Sequence, residues 1–261
     1  MLFRSSLEYL KKLAPGAEIE ILPDTAFSLS RFWPLEAESY DFINWRRSLG
    51  VGSRYFVIQA NHLLGNYRTD IECVMRMLED CTAVILPICW CHGDRATGFP
   101  ILSGKVIESP GWLSPKLISE IIGRSEFVLA SSLHACIAAL SYGVPAARAP
   151  GVNASDRKFE LLDEFEGVEL ISNSEGLAAL IRRGRKIEPR VLGYADRLDQ
   201  YWDRITELVL RPQRHDANRS MALMLGWASR VFAELEMSAL TRRALTKDAQ
   251  PIDSSESLSI E

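Results

Sequence analysis

The chain has 261 residues, 47% of them apolar and 25% charged, which is enough hydrophobic material for one large domain or two small ones. A net charge of −4 gives no electrostatic ground for binding nucleic acid or an acidic membrane surface. No stretch reaches the ~20 apolar residues of a membrane span, and Arg4-Ser5-Ser6 directly after Leu2-Phe3 leaves no room for a signal-peptide core.

In chain order, residues 5–13 read as a short helix with Leu7, Leu10 and Leu13 on one face. Pro15-Gly16 breaks it, and Glu18 to Leu22 alternates as a strand. Residues 34–50 suit a helix and linker, with Phe42, Trp45 and Leu49 on one side. From Tyr55 the pattern becomes regular. Apolar strands are predicted at 55–60, 83–89, 99–108, 126–130, 145–149 and 168–171. Helices are predicted between them at 69–80, 115–122, 132–141, 157–165 and 174–183. Ser114-Pro115 and Ser174 supply helix starts. Tyr194 to Leu210 makes a long amphipathic helix with Leu198, Trp202, Ile205 and Val209 in phase. Met221, Leu225, Ala228, Phe232 and Leu235 mark a further helix, and residues 247–261 are polar and read as disordered.

This βα alternation predicts an α/β fold, a Rossmann-like doubly wound parallel sheet with right-handed crossovers. Ligands of such sheets bind beyond the carboxyl ends of the strands, where the loops 60–67, 91–98 and 130–134 converge. The five cysteines lie mostly in apolar runs, as at Cys73, Cys81, Cys89 and Cys136, which fits free thiols in a reducing cytoplasm. Cys89-Trp90-Cys91-His92 lacks the spacing of a zinc or haem site and reads as alternation at a strand end, so no metal and no other cofactor is expected.

Ser131-Ser132-Leu133-His134-Ala135 follows the apolar run Phe127–Ala130 and opens a small-residue helix that closes on Gly143-Val144-Pro145. Hydroxyls and backbone N–H groups at the positive end of a helix dipole suit a phosphate or carboxylate. His134, in the first turn, is placed to exchange a proton there. The plainer reading is that Ser131 and Ser132 cap the helix and His134 fills a satisfied polar position. His92 and Asp94 form an acid–base pair in the next loop, or merely a solvated turn. Asn61 is a polar loop residue, while Arg95, Arg148 and Lys158 could bring positive charge to an anion, each with a solvated surface role as the alternative. Arg182, Arg183, Arg185 and Lys186 read as a solvated helix end.

The block Ser131–Ala135, then Ile137-Ala138-Ala139-Leu140, then Gly143-Val144-Pro145 resembles the signature of the polysaccharide pyruvyl transferase family. Further blocks extend the resemblance over about residues 5–205: Ser6–Leu10, Ile21–Phe27, Tyr55–Gln59, Ile85–Ile88 and His92-Gly93-Asp94. Two positions depart from the family pattern. Its arginine before Leu-His is Ser132 here, and its serine two places earlier falls on Ala130.

The resemblance implies the C-terminal portion of a two-domain GT-B-like fold. Residues 1–52 would be the remnant of an N-terminal domain and linker, 53–212 the donor-binding domain, 213–246 a helical extension and 247–261 a tail. Residues 5–30 would then normally pack into a sheet that this chain lacks. The implied activity moves a pyruvyl group from phosphoenolpyruvate to a sugar of a surface or exopolysaccharide as a ketal. His134, with His92 and Asp94, would be catalytic, and Ser131, Ser132, Leu133, Lys158, Arg95, Arg148 and Asn61 would bind substrate. Two alternatives stay open. One is a GT-B glycosyltransferase using a nucleotide-sugar; the other is a non-catalytic subunit that binds a partner chain, or a homo-oligomer, through residues 1–50 and 217–245.

Overall fold

The computed structural model describes residues 11–12, 16, 19–88, 93–95, 105–149 and 159–210. The chain divides into two compact units, residues 1–202 and 203–261, and the sheet lies in the first. The expected helical extension at 213–246 and the tail at 247–261 fall outside the described residues, as do His92 and Lys158.

Six strands form one sheet: β1 (Tyr55–Gln59), β2 (Thr82–Leu86), β3 (Val106–Glu108), β4 (Val128–Ala130), β5 (Ala146–Arg148) and β6 (Val168–Leu170). Their order is β3-β2-β1-β4-β5-β6, and every pairing is parallel. This is the doubly wound arrangement that the βα alternation predicts, with its reversal of direction between β1 and β4. The helices are α1 (Leu29–Phe32), α2 (Tyr40–Leu49), α3 (Arg68–Met77), α4 (Pro115–Arg124), α5 (Leu133–Ser141), α6 (Ser174–Arg183) and α7 (Pro189–Leu210).

Strands covered on both faces must be apolar throughout, and all five residues of β1 and of β2 are buried. Tyr55 and Val57 point into one core with Phe42, Trp45, Ile121, Ile137 and Leu140 from α2, α4 and α5. Phe56 and Ile58 point into the other with Ile71, Val74, Leu177 and Leu180 from α3 and α6. Local chemistry fixes the helix ends. Ser39 Oγ accepts from Phe42 N at 3.2 Å to start α2, and Gly50, at φ 66°, ends it in the left-handed conformation that glycine adopts freely. Ser114 Oγ accepts from Leu117 N, with Pro115 at the first position of α4, as the sequence predicts. At α6 the cap is Asn173 rather than Ser174: its Oδ1 accepts from Gly176 N at 3.1 Å.

Four further expectations are corrected. Residues 19–24 form no strand; Pro23 lacks an N–H to give a ladder, and Asp24 starts a 3-10 turn over Thr25–Ser28 by accepting from Ala26 N. The expected helix at 157–165 is, in its described part, a 3-10 turn over Leu162–Glu164. The last helix starts five residues early because Pro189 is pre-set for a first helical position, and Trp202 and Val209 are exposed rather than packed in line with buried Leu198.

The segment 24–33 packs on α5. Ser30 N donates to Ser141 Oγ, which itself donates to Phe27 O. Tyr142 Oη donates to Leu29 O and Trp33 O. Phe27 is fully buried, with its ring 5.5 Å from Phe165 and 5.0 Å from Tyr194.

Candidate functional site

Gln59 closes β1 at the point where strand order reverses, and it is 1% exposed. A buried primary amide must satisfy both its ends. Its Oε1 accepts from Ser131 N and Ser132 N, each at 2.9 Å, in the turn between β4 and α5. Its Nε2 donates to Asp94 Oδ2 at 2.8 Å. Asp94 is fully buried and also accepts from Asn61 Nδ2 at 2.8 Å and from Ile88 N at 3.1 Å. Asn61 in turn accepts from Leu63 N through Oδ1. One carboxylate therefore ties together the carboxyl ends of β1 and β2, the 93–95 loop and the start of α5. Arg95 N donates to Ala60 O at 2.8 Å, so the loop is also pinned by its backbone, and the Arg95 side chain is exposed.

His134 is the second residue of α5, and its side chain is 72% exposed. Its Nε2 lies 3.2 Å from Asp24 Oδ2, and the Asp24 side chain is 16% exposed. The other carboxylate oxygen of Asp24 accepts from Ala26 N at 2.9 Å. Burial on its own pushes the Asp24 carboxyl up. The hydrogen bonds from His134 and Ala26, with the His134 charge, outweigh it and leave the group below the ordinary carboxylate range.

The structure thus brings Asn61, Asp94, Ser131 and Ser132 into one network and gives His134 an acid partner. Ser132 sits at the N-cap of α5, but its hydroxyl makes no cap hydrogen bond, and the two N–H groups expected to meet an anion are held by Gln59. Leu133 is half-buried and packs against the core. Arg148 ends β5 at the same edge, yet its guanidinium is engaged by Asp163 and lies over the Phe159 ring at 5.7 Å. Sequence reasoning missed Gln59 and Asp24. Gln59 announces itself only as the polar end of an apolar run, and Asp24 only as an Asp after Pro23 with the pattern of a cap.

Cys136 is buried in α5, and burial pushes its thiol up to about 12, which makes it a packing group rather than a nucleophile. Among the described residues no group of three or more His, Cys, Asp and Glu side chains is disposed to hold a metal ion. Among them, too, no helix is long and apolar enough to cross a membrane.

Strand order and the buried polar network define a doubly wound α/β protein with its switch-point crevice between β1 and β4. The chain matches the polysaccharide pyruvyl transferase family over residues 4–148, more than half its length, and belongs to that family. No curated protein matches it. Among solved structures it is similar to the UDP-GlcNAc 2-epimerase of Methanocaldococcus jannaschii, at 15% identity over 65% of this chain and 50% of that one, with a TM-score of 0.43. It is also similar to a putative UDP-N-acetylglucosamine 2-epimerase of Listeria monocytogenes, at 17% identity over 64% of this chain and 45% of that one, with a TM-score of 0.40. The chain spans about half the length of these structures.

Proposed function

We propose that this chain takes part in transferring a pyruvyl group from phosphoenolpyruvate to a saccharide, with His134 as the proton donor. The observation that carries this reading is the His134–Asp24 pair: an exposed imidazole in the first turn of α5, on a half-buried carboxylate. In the reaction, His134 gives a proton to the methylene carbon of phosphoenolpyruvate. A sugar hydroxyl adds to the neighbouring carbon, phosphate leaves, and a second hydroxyl closes the ketal. Asp24 holds the imidazole and stabilises its charged form.

Because Gln59 fills the N–H groups of Ser131 and Ser132, the donor's anionic groups are assigned to the next ones, on Leu133, His134 and Ala135. Arg95 and Lys158 supply positive charge in place of the family arginine. Asp94 keeps the loop before Arg95 in position. The fully covered Gln59 oxygen, together with serine at position 132, favours a second reading: a subunit that binds ligand or partner without turnover.

His134→Ala separates the two. For the catalytic reading, phosphate release from phosphoenolpyruvate in the presence of a saccharide acceptor falls by about 10²–10⁴ with little loss of stability. Activity that survives in the folded variant removes His134 from the chemistry. Absence of turnover in the wild-type chain alone and with partner chains supports the non-catalytic reading.

A further inference from the structure

A cavity of about 270 Å³ opens among Leu35, Phe42, Tyr55 and three arginines: Arg46 from α2, Arg124 from α4 and Arg185 from the segment after α6. It lies at the amino edge of the sheet. Tyr55 begins β1 and Gln59 ends it, four steps of about 3.3 Å away, so roughly 13 Å of strand separates this cavity from the polar network.

The lining carries three guanidinium groups against one carboxylate, Glu38. Arg46 pairs with Glu38 at 2.7 Å through Nη1. Arg124 pairs with Glu120 at 2.9 Å through Nε, and its Nη2 donates to Ala37 O. Both cations sit over the Phe42 ring, 5.6 and 5.5 Å from its centroid. Arg185 has no carboxylate at ion-pair distance among the described residues. Its terminal nitrogens donate to the carbonyls of Gly123, Ser125 and Tyr142, at the ends of α4 and α5.

Those helix ends hold the cations in place, since each C-terminus carries about half a negative charge. They do not use up the donors. Nε and Nη2 of Arg46, Nη1 of Arg124 and Nε of Arg185 make no hydrogen bond to described residues. Burial pulls the Arg185 pKa down, Glu126 and Tyr55 act against it, and the Arg124 cation adds to it. The lining of the cavity therefore combines an excess of positive charge, planar forks on more than one wall and spare N–H groups, a combination that recognises tetrahedral anions.

We propose that this cavity is a binding site for a small phosphate-bearing dianion, separate from the carboxyl-edge site that contains His134. The test is a titration of the full-length chain with inorganic phosphate, with potassium chloride at matched ionic strength as control. Binding is followed by calorimetry and by melting temperature. The wild-type chain binds phosphate and is stabilised by it beyond the chloride control.

Arg46→Gln weakens binding about tenfold, as expected for one lost charged hydrogen bond. Its side chain is 31% exposed with one carboxylate partner, so the variant keeps its fold. Glu38→Gln tightens binding, because it removes a like charge and releases Arg46. His134→Ala leaves binding unchanged. An equal response to chloride, unaltered affinity in Arg46→Gln, or loss of binding in His134→Ala each overturns the proposal. The last result moves phosphate to the carboxyl edge and favours the site proposed for the donor, whereas the other two overturn this cavity alone and leave the role of His134 as it stands.

Discussion

At the carboxyl edge of the sheet an acid is buried among amides; at the amino edge arginines lie against helix carbonyls. The first arrangement gives Asp94 three neutral donors, from Gln59, Asn61 and Ile88, and so links three loops. The second leaves guanidinium donors over after Arg185 has tied α4 to α5. The first edge is rigid because its hydrogen bonds converge on one group. The second is rigid because its backbone is close-packed: Gly143, at φ 68°, lies so near the chain after α6 that an added Cβ would stand 2.8 Å from Ile187 N. Removing a group from either edge therefore costs stability for different reasons, and the contrast can be measured.

The largest effect is expected at Asp94. Asp94→Ala strands the Gln59 and Asn61 amides and the Ile88 N–H in a buried place, and at about 1 kcal/mol or more for each donor it loses about 3 kcal/mol or more in a urea titration. A loss below about 1 kcal/mol would show that water takes over the network and that the edge is not held by one carboxylate.

Gly143→Ala tests the other side of the comparison. Left-handed backbone and the contacts with Ile187 and Lys186 together are expected to remove about 2 kcal/mol. If the alanine variant is as stable as wild type, close packing does not define the amino edge.

The smallest effect is the pH dependence carried by Asp24. Its folded pKa is depressed, so its contribution is present above the unfolded carboxyl value of about 4 and is lost as pH falls through the lower folded value. The stability gap between wild type and Asp24→Asn should therefore shrink on acidification below about pH 4 and stay flat from pH 5 to 6. A gap that grows on acidification would reverse the sign assigned to this pair.

Much of the architecture was legible because parallel strands buried on both faces are short apolar runs, and Tyr55–Ile58 or Thr82–Leu86 cannot be much else. Ser114-Pro115 marked a helix start for an equally local reason. What escaped depended on distant partners. Phe27 is buried by Phe165 and Tyr194, which lie far along the sequence, so nothing in its own neighbourhood announced its burial. Gln59 finds Asp94 at a separation of 35 residues and Ser131 at 72, and nothing in the spacing of either signals the other. His134 was visible through its helix start, but its acid was not, because Asp24 reads locally as the cap of a turn, a role it also fills.

The parallel order of the sheet also sets the relative entropic cost of pairing β1 with each of its two neighbours. Val57 pairs with Val84 on one side and with Val128 on the other, so closing the second loop spans more than twice the chain and costs about 1 kcal/mol more in entropy. Pairing of β1 with β2 is thus entropically cheaper than docking β1 on β4. The Ser131 and Ser132 amides reach Gln59 only where β4 is docked beside β1, so the junction at the head of α5 depends on the costlier of the two closures.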